Sequence, residues 1–221
     1  MKLSKLFQKK DFLLKIFSVL ILQFCILLGS FYTAEKTNII PKKLSVMLSL
    51  VLLSFGLIIC FVFLQNPIYL LICFSLFSII YGFICSIAYD LKEHKDLLVK
   101  SLWTTFAIFV SMFVIGYGLF YLGGSSLISE QVFIYLGIGL FLCILASFFI
   151  AIFLRGDTKT QFRRYLSFGI IVLFCFYILF ETYFILQRPY QETWADSIRA
   201  SMDYFLDLIN IFSNVYSLSE S

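Results

Sequence analysis

Six long apolar runs constrain this chain more than any other feature of its sequence. Each contains about 20 residues, and a helix of that length, rising about 1.5 Å per residue, crosses a hydrocarbon core roughly 30 Å thick. The runs occupy residues 12–34, 44–65, 67–89, 97–122, 131–154 and 165–187. Only 14% of the 221 residues are charged, whereas a soluble domain carries roughly 25%. The sequence therefore predicts an integral multi-pass membrane protein that contacts the lipid bilayer.

Short polar segments separate the apolar runs and contain typical turn residues. Pro41, the Asn66-Pro67 step and the charged residues 155–164 lie between successive runs, and connections this short make neighbouring helices antiparallel. We predict a basic N-terminal tail at residues 1–11 and one transmembrane domain at residues 12–221. The first run resembles a signal peptide, but it is too long and no small-residue cleavage site follows it, so we interpret it as an uncleaved span.

Residues 195–218 form a seventh segment that is more polar than the other six. Asp203, Asp207, Asn210 and Asn214 recur at steps of four, three and four, which places them along one face of a helix. In lipid, such a face has to turn toward other helices or toward water. The predicted fold is therefore an all-α seven-helix bundle in which six helices surround a central, more polar C-terminal helix.

Basic residues give two conflicting signals about orientation. Ten lysines and arginines lie in the loops after the first, third and fifth spans or, for Lys100, just beyond such a loop, and the positive-inside rule predicts that these loops are cytoplasmic. The tail before the first span holds Lys2, Lys5, Lys9 and Lys10, and one crossing places it on the opposite side. Either one signal is overridden or the first run is interfacial or re-entrant, so the orientation stays open.

Cysteine and histidine residues indicate neither a disulfide framework nor a metal site. All six cysteines lie in apolar runs without a CxxC or Cys/His cluster, which is typical of small packing residues. The single histidine, His94, lies in a charged stretch and receives no role. Neither HExxH nor GxSxG occurs, so we expect no enzyme, no cofactor and no nucleic-acid partner.

Two acids in the last part of the chain are the candidate functional residues. Glu181 has apolar neighbours on both sides within the sixth run, and a carboxyl group there needs a partner, a proton or a water pathway. A turn near residues 188–194 places Asp207 at a comparable depth on the seventh helix. Two ionised carboxyl groups repel in a low dielectric, so the pair should keep a proton or attract a cation. The alternative is that both acids only join helices.

The segments around these acids resemble the Bax inhibitor-1 family, the transmembrane Bax inhibitor motif proteins. FCFYILFET, which ends at Thr182, is similar to the family's apolar run into a Tyr-Asp-Thr motif. ASMDYFLDLINIF at residues 200–212 is similar to the family's last helix, and this is the more specific match. FLLKIFSVLILQ at residues 12–23 and the proline that opens the third run, Pro67, show weaker likeness.

This resemblance implies six helices around a seventh, a slow calcium leak, and protection against cell death in eukaryotic relatives. It implies that Glu181 and Asp207 are the acids of a pH-sensitive calcium gate, and we expect Asp203, Asn210 and Thr182 to support them. Two departures are the glutamate, where the family has aspartate, and the absence of arginine from the second run. The family's usual cytosolic N-terminus is opposed by the loop charges.

A competing hypothesis is an interaction protein whose buried acids are structural. It would restrain cell death or stress signalling by binding other membrane proteins of those pathways. Gly116 and Gly118, and likewise Gly137 and Gly139, would permit close helix contacts of this kind or within one bundle. The expected membrane is the endoplasmic reticulum or Golgi for a eukaryotic or viral chain, and the plasma membrane for a bacterial one.

Overall fold

The structure, a computed structural model, describes residues 2–37, 40, 41, 43–89, 95–122, 130–153, 156–187 and 193–220. Within these residues the chain forms seven helices and no strand, which confirms the predicted all-α class. In chain order the helices are α1 (Lys2–Thr37), α2 (Leu44–Phe63), α3 (Pro67–Ala88), α4 (Lys95–Leu122), α5 (Glu130–Phe153), α6 (Gly156–Gln187) and α7 (Trp194–Glu220). His94 and most of the turn predicted at residues 188–194 lie outside the described residues.

Five of these helices are long and apolar enough to cross a membrane by length and composition. Among the described residues the five segments are Lys9–Thr37, Leu44–Phe63, Pro67–Ala88, Lys95–Leu122 and Thr160–Gln187. The apolar part described in α5 is the shorter stretch Ile134–Cys143, and the more polar α7 is not among the five. The chain is therefore an integral multi-pass membrane protein, and membrane crossing by α5 and α7 stays a prediction.

The largest difference from the predicted boundaries lies at the start of α6. Residues 155–164 were predicted to separate two spans, but α6 already begins at Gly156. Lysine, glutamine and arginine are good helix formers, and no proline occurs between Gly156 and Tyr165 to stop a helix. The charged segment therefore extends the spanning helix instead of interrupting it. In the same way α1 includes residues 2–11, which were predicted as a basic tail.

The helices pack into two compact units. The first unit contains α1 from Leu3, α2, α3 and the part of α7 that ends at Asp203. The second unit contains α4 from Asp96, α5, α6 and the part of α7 that begins at Tyr204. Helix α7 thus contributes its first half to one unit and its second half to the other. A central position for α7 stays a prediction.

The first unit is built around α1 and α3. Asn66 caps the N-terminus of α3 by accepting a hydrogen bond from the Ile68 amide at 2.9 Å, and Pro67 takes the first helical position, where no amide hydrogen is needed. Gln23 of α1 is 0% exposed; its Nε2 donates to Ser75 Oγ at 3.2 Å and its Oε1 accepts from Ser78 Oγ at 2.9 Å. The buried amide of α1 is thus satisfied by two serines of α3.

A glycine of α3 permits the close approach of α1. A Cβ atom on Gly82 would overlap Ser30 Oγ and would lie 2.6 Å from the Leu27 carbonyl oxygen. Only glycine leaves room for this contact, because a backbone oxygen cannot move aside as the end of a side chain can. No pattern in the sequence indicated a role for Gly82.

Helix α2 has little protein around it. It packs against α3, but most of its large apolar side chains are exposed, namely Leu44, Leu48, Leu52, Leu53, Phe55, Ile59, Val62 and Phe63. An apolar surface of this length is expected where lipid tails surround a membrane helix. The six cysteines are free thiols, and Cys60 of α2 is among the exposed ones.

Candidate functional site

Glu181 and Asp207 both belong to the second unit, one on α6 and the other on α7. Asp207 is 5% exposed, and Glu181 is half-buried. One carboxyl oxygen of each acid, Glu181 Oε2 and Asp207 Oδ2, is shielded from solvent. The apolar segment before Glu181 includes Ile178 and Phe180, both buried. A carboxyl group in such surroundings is costly to ionise unless other groups compensate its charge.

The hydroxyl group of Tyr177 connects the environments of the two acids. The carboxyl groups of Asp207 and Glu181 both interact electrostatically with this hydroxyl, and Asp207 also acts on the Cys175 thiol. Tyr177 lies four residues before Glu181 on α6, so the two side chains project from one face of the helix. The structure therefore brings both predicted acids into the neighbourhood of one tyrosine that the sequence analysis did not select.

Thr182, expected as a supporting residue, forms a side-chain bridge between α6 and α7. Its Oγ1 donates to the Ile178 carbonyl oxygen at 2.7 Å and lies 2.9 Å from the Tyr204 hydroxyl oxygen. Thr182 and Tyr204 are each 0% exposed. The ring of Tyr204 meets Phe109 of α4 edge-on, with centroids 5.4 Å apart. Three helices of the second unit thus meet next to the acids.

The other two expected supporting residues have local partners. The Asn210 amide nitrogen donates to the Leu206 carbonyl oxygen of its own helix at 2.7 Å, and Asn210 is half-buried. Asp203 is exposed and belongs to the first unit, where the Arg199 guanidinium acts on its carboxyl group. One helical turn therefore separates an exposed aspartate from a buried one, Asp207.

Helix α7 makes three further contacts in the first unit that the sequence did not reveal. Arg199 Nη2 donates to the Leu64 carbonyl oxygen at 2.7 Å, at the C-terminal end of α2. Ser201 Oγ donates to the Ile16 carbonyl oxygen of α1 at 2.8 Å. The Lys15 ammonium lies 5.4 Å from the centre of the Trp194 ring, within the range of a cation–π contact. Each contact joins residues far apart in sequence, so no local pattern signals it.

The glycines selected from the sequence differ in their surroundings. A Cβ atom on Gly116 would lie 2.8 Å from the Leu179 carbonyl oxygen and 3.0 Å from Thr182 Cβ, so α4 passes close to α6 at this point. A Cβ on Gly137 would lie 3.5 Å from the Tyr177 hydroxyl oxygen, and one on Gly139 would lie 3.6 Å from Leu173. Nothing lies within 4 Å of a Cβ on Gly118. Of the four, Gly116 is the one that a close helix contact requires.

Comparison with known proteins gives the family of the chain. No curated protein matches the sequence. A sequence model of the family described as inhibitor of apoptosis-promoting Bax1 matches residues 9–219. The match begins in α1 and ends in α7, so it includes all the segments on which the resemblance was based, together with the two acids. Because it covers nearly the whole chain, this protein belongs to the Bax inhibitor-1 family.

Proposed function

We propose that this protein forms a pH-gated leak for calcium across its membrane, with Glu181 and Asp207 as the gating pair. The observation that carries the proposal is the common environment of the two acids in the second unit. Asp207 is buried, each acid has one carboxyl oxygen shielded from solvent, and both carboxyl groups act on the Tyr177 hydroxyl. The charge on each carboxyl group in such an arrangement influences the protonation of the other titratable groups nearby.

Protonation provides the proposed gate. At acidic pH, one proton shared between Glu181 and Asp207 joins them by a hydrogen bond and removes one negative charge, which closes the pair. At alkaline pH, that proton is lost, and two negative charges in a low dielectric repel each other and separate. The separated carboxylates then offer oxygen ligands, which a hard divalent cation such as Ca²⁺ prefers. Acid therefore closes the leak and alkali opens it.

The small number of oxygen ligands favours passage of calcium through the protein over stable binding of calcium. Ca²⁺ in a stable protein site takes about six to eight oxygen ligands. Among the described residues, no group of three or more His, Cys, Asp or Glu side chains could hold a metal ion. Two carboxylates attract a cation without surrounding it, which suits an ion that has to enter and leave. The proposal includes no catalytic step and no cofactor, because ion passage requires no covalent chemistry.

Calcium flux into liposomes tests the proposal directly. Glu181→Gln replaces the acid by a neutral amide and removes most of the repulsion, so its flux should be nearly the same at acidic and alkaline pH. The wild-type flux should rise with pH. Glu220→Gln is a matched control, since Glu220 is exposed near the end of α7, and it should keep the wild-type pH curve. An unchanged pH curve in Glu181→Gln, at equal amounts of folded protein, would remove Glu181 from the gate.

A second candidate function is binding of another membrane protein that promotes cell death. The family's description as an inhibitor of apoptosis-promoting Bax1 favours it, and the exposed apolar surface of α2 offers space for a helix of a partner. In this case the acids are structural. Wild-type protein that carries no calcium at any pH, although it is folded in liposomes, would favour this second function over the leak.

A further inference from the structure

We propose that the hydroxyl pair of Thr182 and Tyr204 is a positioning device for the acid pair, holding α6 and α7 at the depth where Glu181 and Asp207 can share a proton. Its consequence for calcium passage rests on the proposed function. Neither the family resemblance nor the spacing of the acids identified Tyr204. The inference comes from hydrogen-bond direction, the position of the bond along both helices, and the packing of α4 behind it.

The direction of the hydrogen bonds follows from the number of protons. A threonine hydroxyl carries one proton, and Thr182 Oγ1 donates it to the Ile178 carbonyl oxygen at 2.7 Å. The Tyr204 hydroxyl, 2.9 Å away, therefore donates its own proton to Thr182 Oγ1. The result is a chain of two bonds from the side chain of α7 to the backbone of α6. Tyr204 cannot be replaced in it by a residue without a donor.

The bond lies close to both acids along the chain. Thr182 directly follows Glu181 on α6, and Tyr204 lies three residues before Asp207, which is slightly less than one turn of α7. A link at this point restrains both the rotation of each helix and its movement along its axis. Since the acids are less than one turn away, the same link restrains the direction and depth of their carboxyl groups.

Helix α4 prevents this hydrogen-bonded pair from moving aside. Phe109 packs edge-on against the Tyr204 ring, with 87° between the ring planes. Gly116, two turns further along α4, lies where a Cβ would come within 3.0 Å of Thr182 Cβ and 2.8 Å of the Leu179 carbonyl oxygen. One residue of α4 thus supports each hydroxyl partner. Closely packed side chains in a protein interior shift only at considerable cost in free energy.

Positioning matters because a shared proton needs two carboxyl groups in one geometry. Holding the helices in advance reduces the ordering cost of closure, as preorganisation does for any contact. Without the Tyr204 hydroxyl, closure becomes less favourable and should need a higher proton concentration. Two titratable groups of α6 interact with these carboxyl groups: the Cys175 thiol with Asp207, and the Tyr177 hydroxyl with both Asp207 and Glu181. Neither is changed by the substitutions below.

Infrared titration of the full-length protein in liposomes tests the inference independently of flux. A protonated carboxyl group has its own carbonyl stretching band, and the component lost in Glu181→Gln reports the pair. In Tyr204→Phe the midpoint of this component should fall by about 0.4 to 1 pH unit, the effect of one net hydrogen bond. The ring and its contact with Phe109 are kept. The pH midpoint of calcium flux should move by the same amount.

Variants at the other end of the bond provide the controls. Thr182→Val should shift the midpoint as Tyr204→Phe does, whereas Thr182→Ser keeps the hydroxyl and should restore the wild-type midpoint. The double variant Thr182→Val with Tyr204→Phe should shift it no further than either single variant. Tyr135→Phe removes the hydroxyl of an exposed tyrosine in the same unit and should leave the midpoint unchanged.

Separate outcomes contradict the inference and the proposed function. Infrared midpoints of Tyr204→Phe and Thr182→Val that equal the wild type would overturn the positioning role, even if flux is normal. Absence of a Glu181-dependent band from the wild type would also overturn it. If the wild type carries no calcium but the infrared midpoint of Tyr204→Phe still differs from that of the wild type, the leak is excluded and the positioning role is kept.

Discussion

The two halves of α7 are held in place by different chemistry. In the first half, side chains bond to backbone carbonyl groups of other helices: Arg199 to that of Leu64 and Ser201 to that of Ile16. In the second half, the described hydrogen bond to another helix joins two side chains, those of Tyr204 and Thr182, next to the acids. A backbone carbonyl neither titrates nor depends on which residue carries it, whereas a carboxyl group changes its charge with pH.

This difference indicates how one continuous helix can combine two tasks. The bonds of Arg199 and Ser201 end on carbonyl oxygens that do not titrate, so these two bonds are suited to anchoring, and the titratable group of this half is Asp203 at its end. The second half contains Asp207, whose charge is costly in its buried position and whose protonation therefore matters. Substitutions in the first half should change the stability of the fold without changing the response to pH. Substitutions in the second half should do the reverse.

The largest effect is expected from Asp207→Asn. Removing the buried charge deletes one of the two proposed calcium ligands, so flux at alkaline pH should fall about tenfold to a hundredfold, the effect of one interaction with a charged group. Calcium uptake by liposomes measures it. Asp96→Asn, which neutralises an exposed acid of α4, is the control and should have wild-type flux. Normal flux in Asp207→Asn would contradict the proposed functional difference between the two halves of α7.

Arg199→Met should have the next largest effect, on stability. The variant keeps most of the apolar stem but loses the bond to the Leu64 carbonyl oxygen. Because Arg199 is only half-buried, the free energy of unfolding in detergent should fall by about 1 to 2 kcal/mol. Arg163→Met, at an exposed position, should change it by less than about 0.5 kcal/mol. A shifted pH midpoint of flux in Arg199→Met would contradict the separation of tasks.

Ser201→Ala tests the smaller of the two anchoring bonds. The single hydroxyl proton of Ser201 is shared between two carbonyl oxygens, that of Ser197 in its own helix and that of Ile16 in α1. Its loss should lower the free energy of unfolding by about 0.5 to 1.5 kcal/mol. Ser111→Ala is a matched control, because the exposed Ser111 bonds only within its helix, to the Ala107 carbonyl oxygen, among the described contacts. Equal effects in both variants would show that the link to α1 contributes nothing.

The smallest effect is expected from Asp203→Ser. Asp203 is exposed and its carboxyl group interacts with Arg199 one turn before it, and such exposed pairs contribute about 0.2 to 1 kcal/mol at most. Local helix stability should fall by about that amount, while calcium flux and its pH midpoint stay at wild-type values. Loss of flux in Asp203→Ser, together with normal flux in Asp207→Asn, would mean that Asp203 is the functional acid.

The helices could be predicted because the bilayer requires a fixed apolar length, which is visible in one sequence. The acids could be selected for the same reason, since a charge at Glu181 interrupts an apolar run. That α6 begins at Gly156, before the predicted span, could not be read from the apolar pattern, because a charged segment can continue a helix outside the lipid. Tyr204 was missed because tyrosine is common in membrane helices and its partner lies 22 residues away. The bond from Arg199 to Leu64 spans 135 residues, beyond any local pattern.

The bonds of Gln23 to α3 cannot form until α3 has been synthesised. Its amide bonds to Ser75 and Ser78, which follow 52 and 55 residues later in the chain. At a synthesis rate of about 5 to 20 residues per second, Ser78 emerges roughly three to eleven seconds after Gln23. During this interval, an amide in the hydrocarbon core lacks its final partners, at a cost of a few kcal/mol. Gln23 of α1 therefore acquires its final partners only after α2 and the first half of α3 have been synthesised.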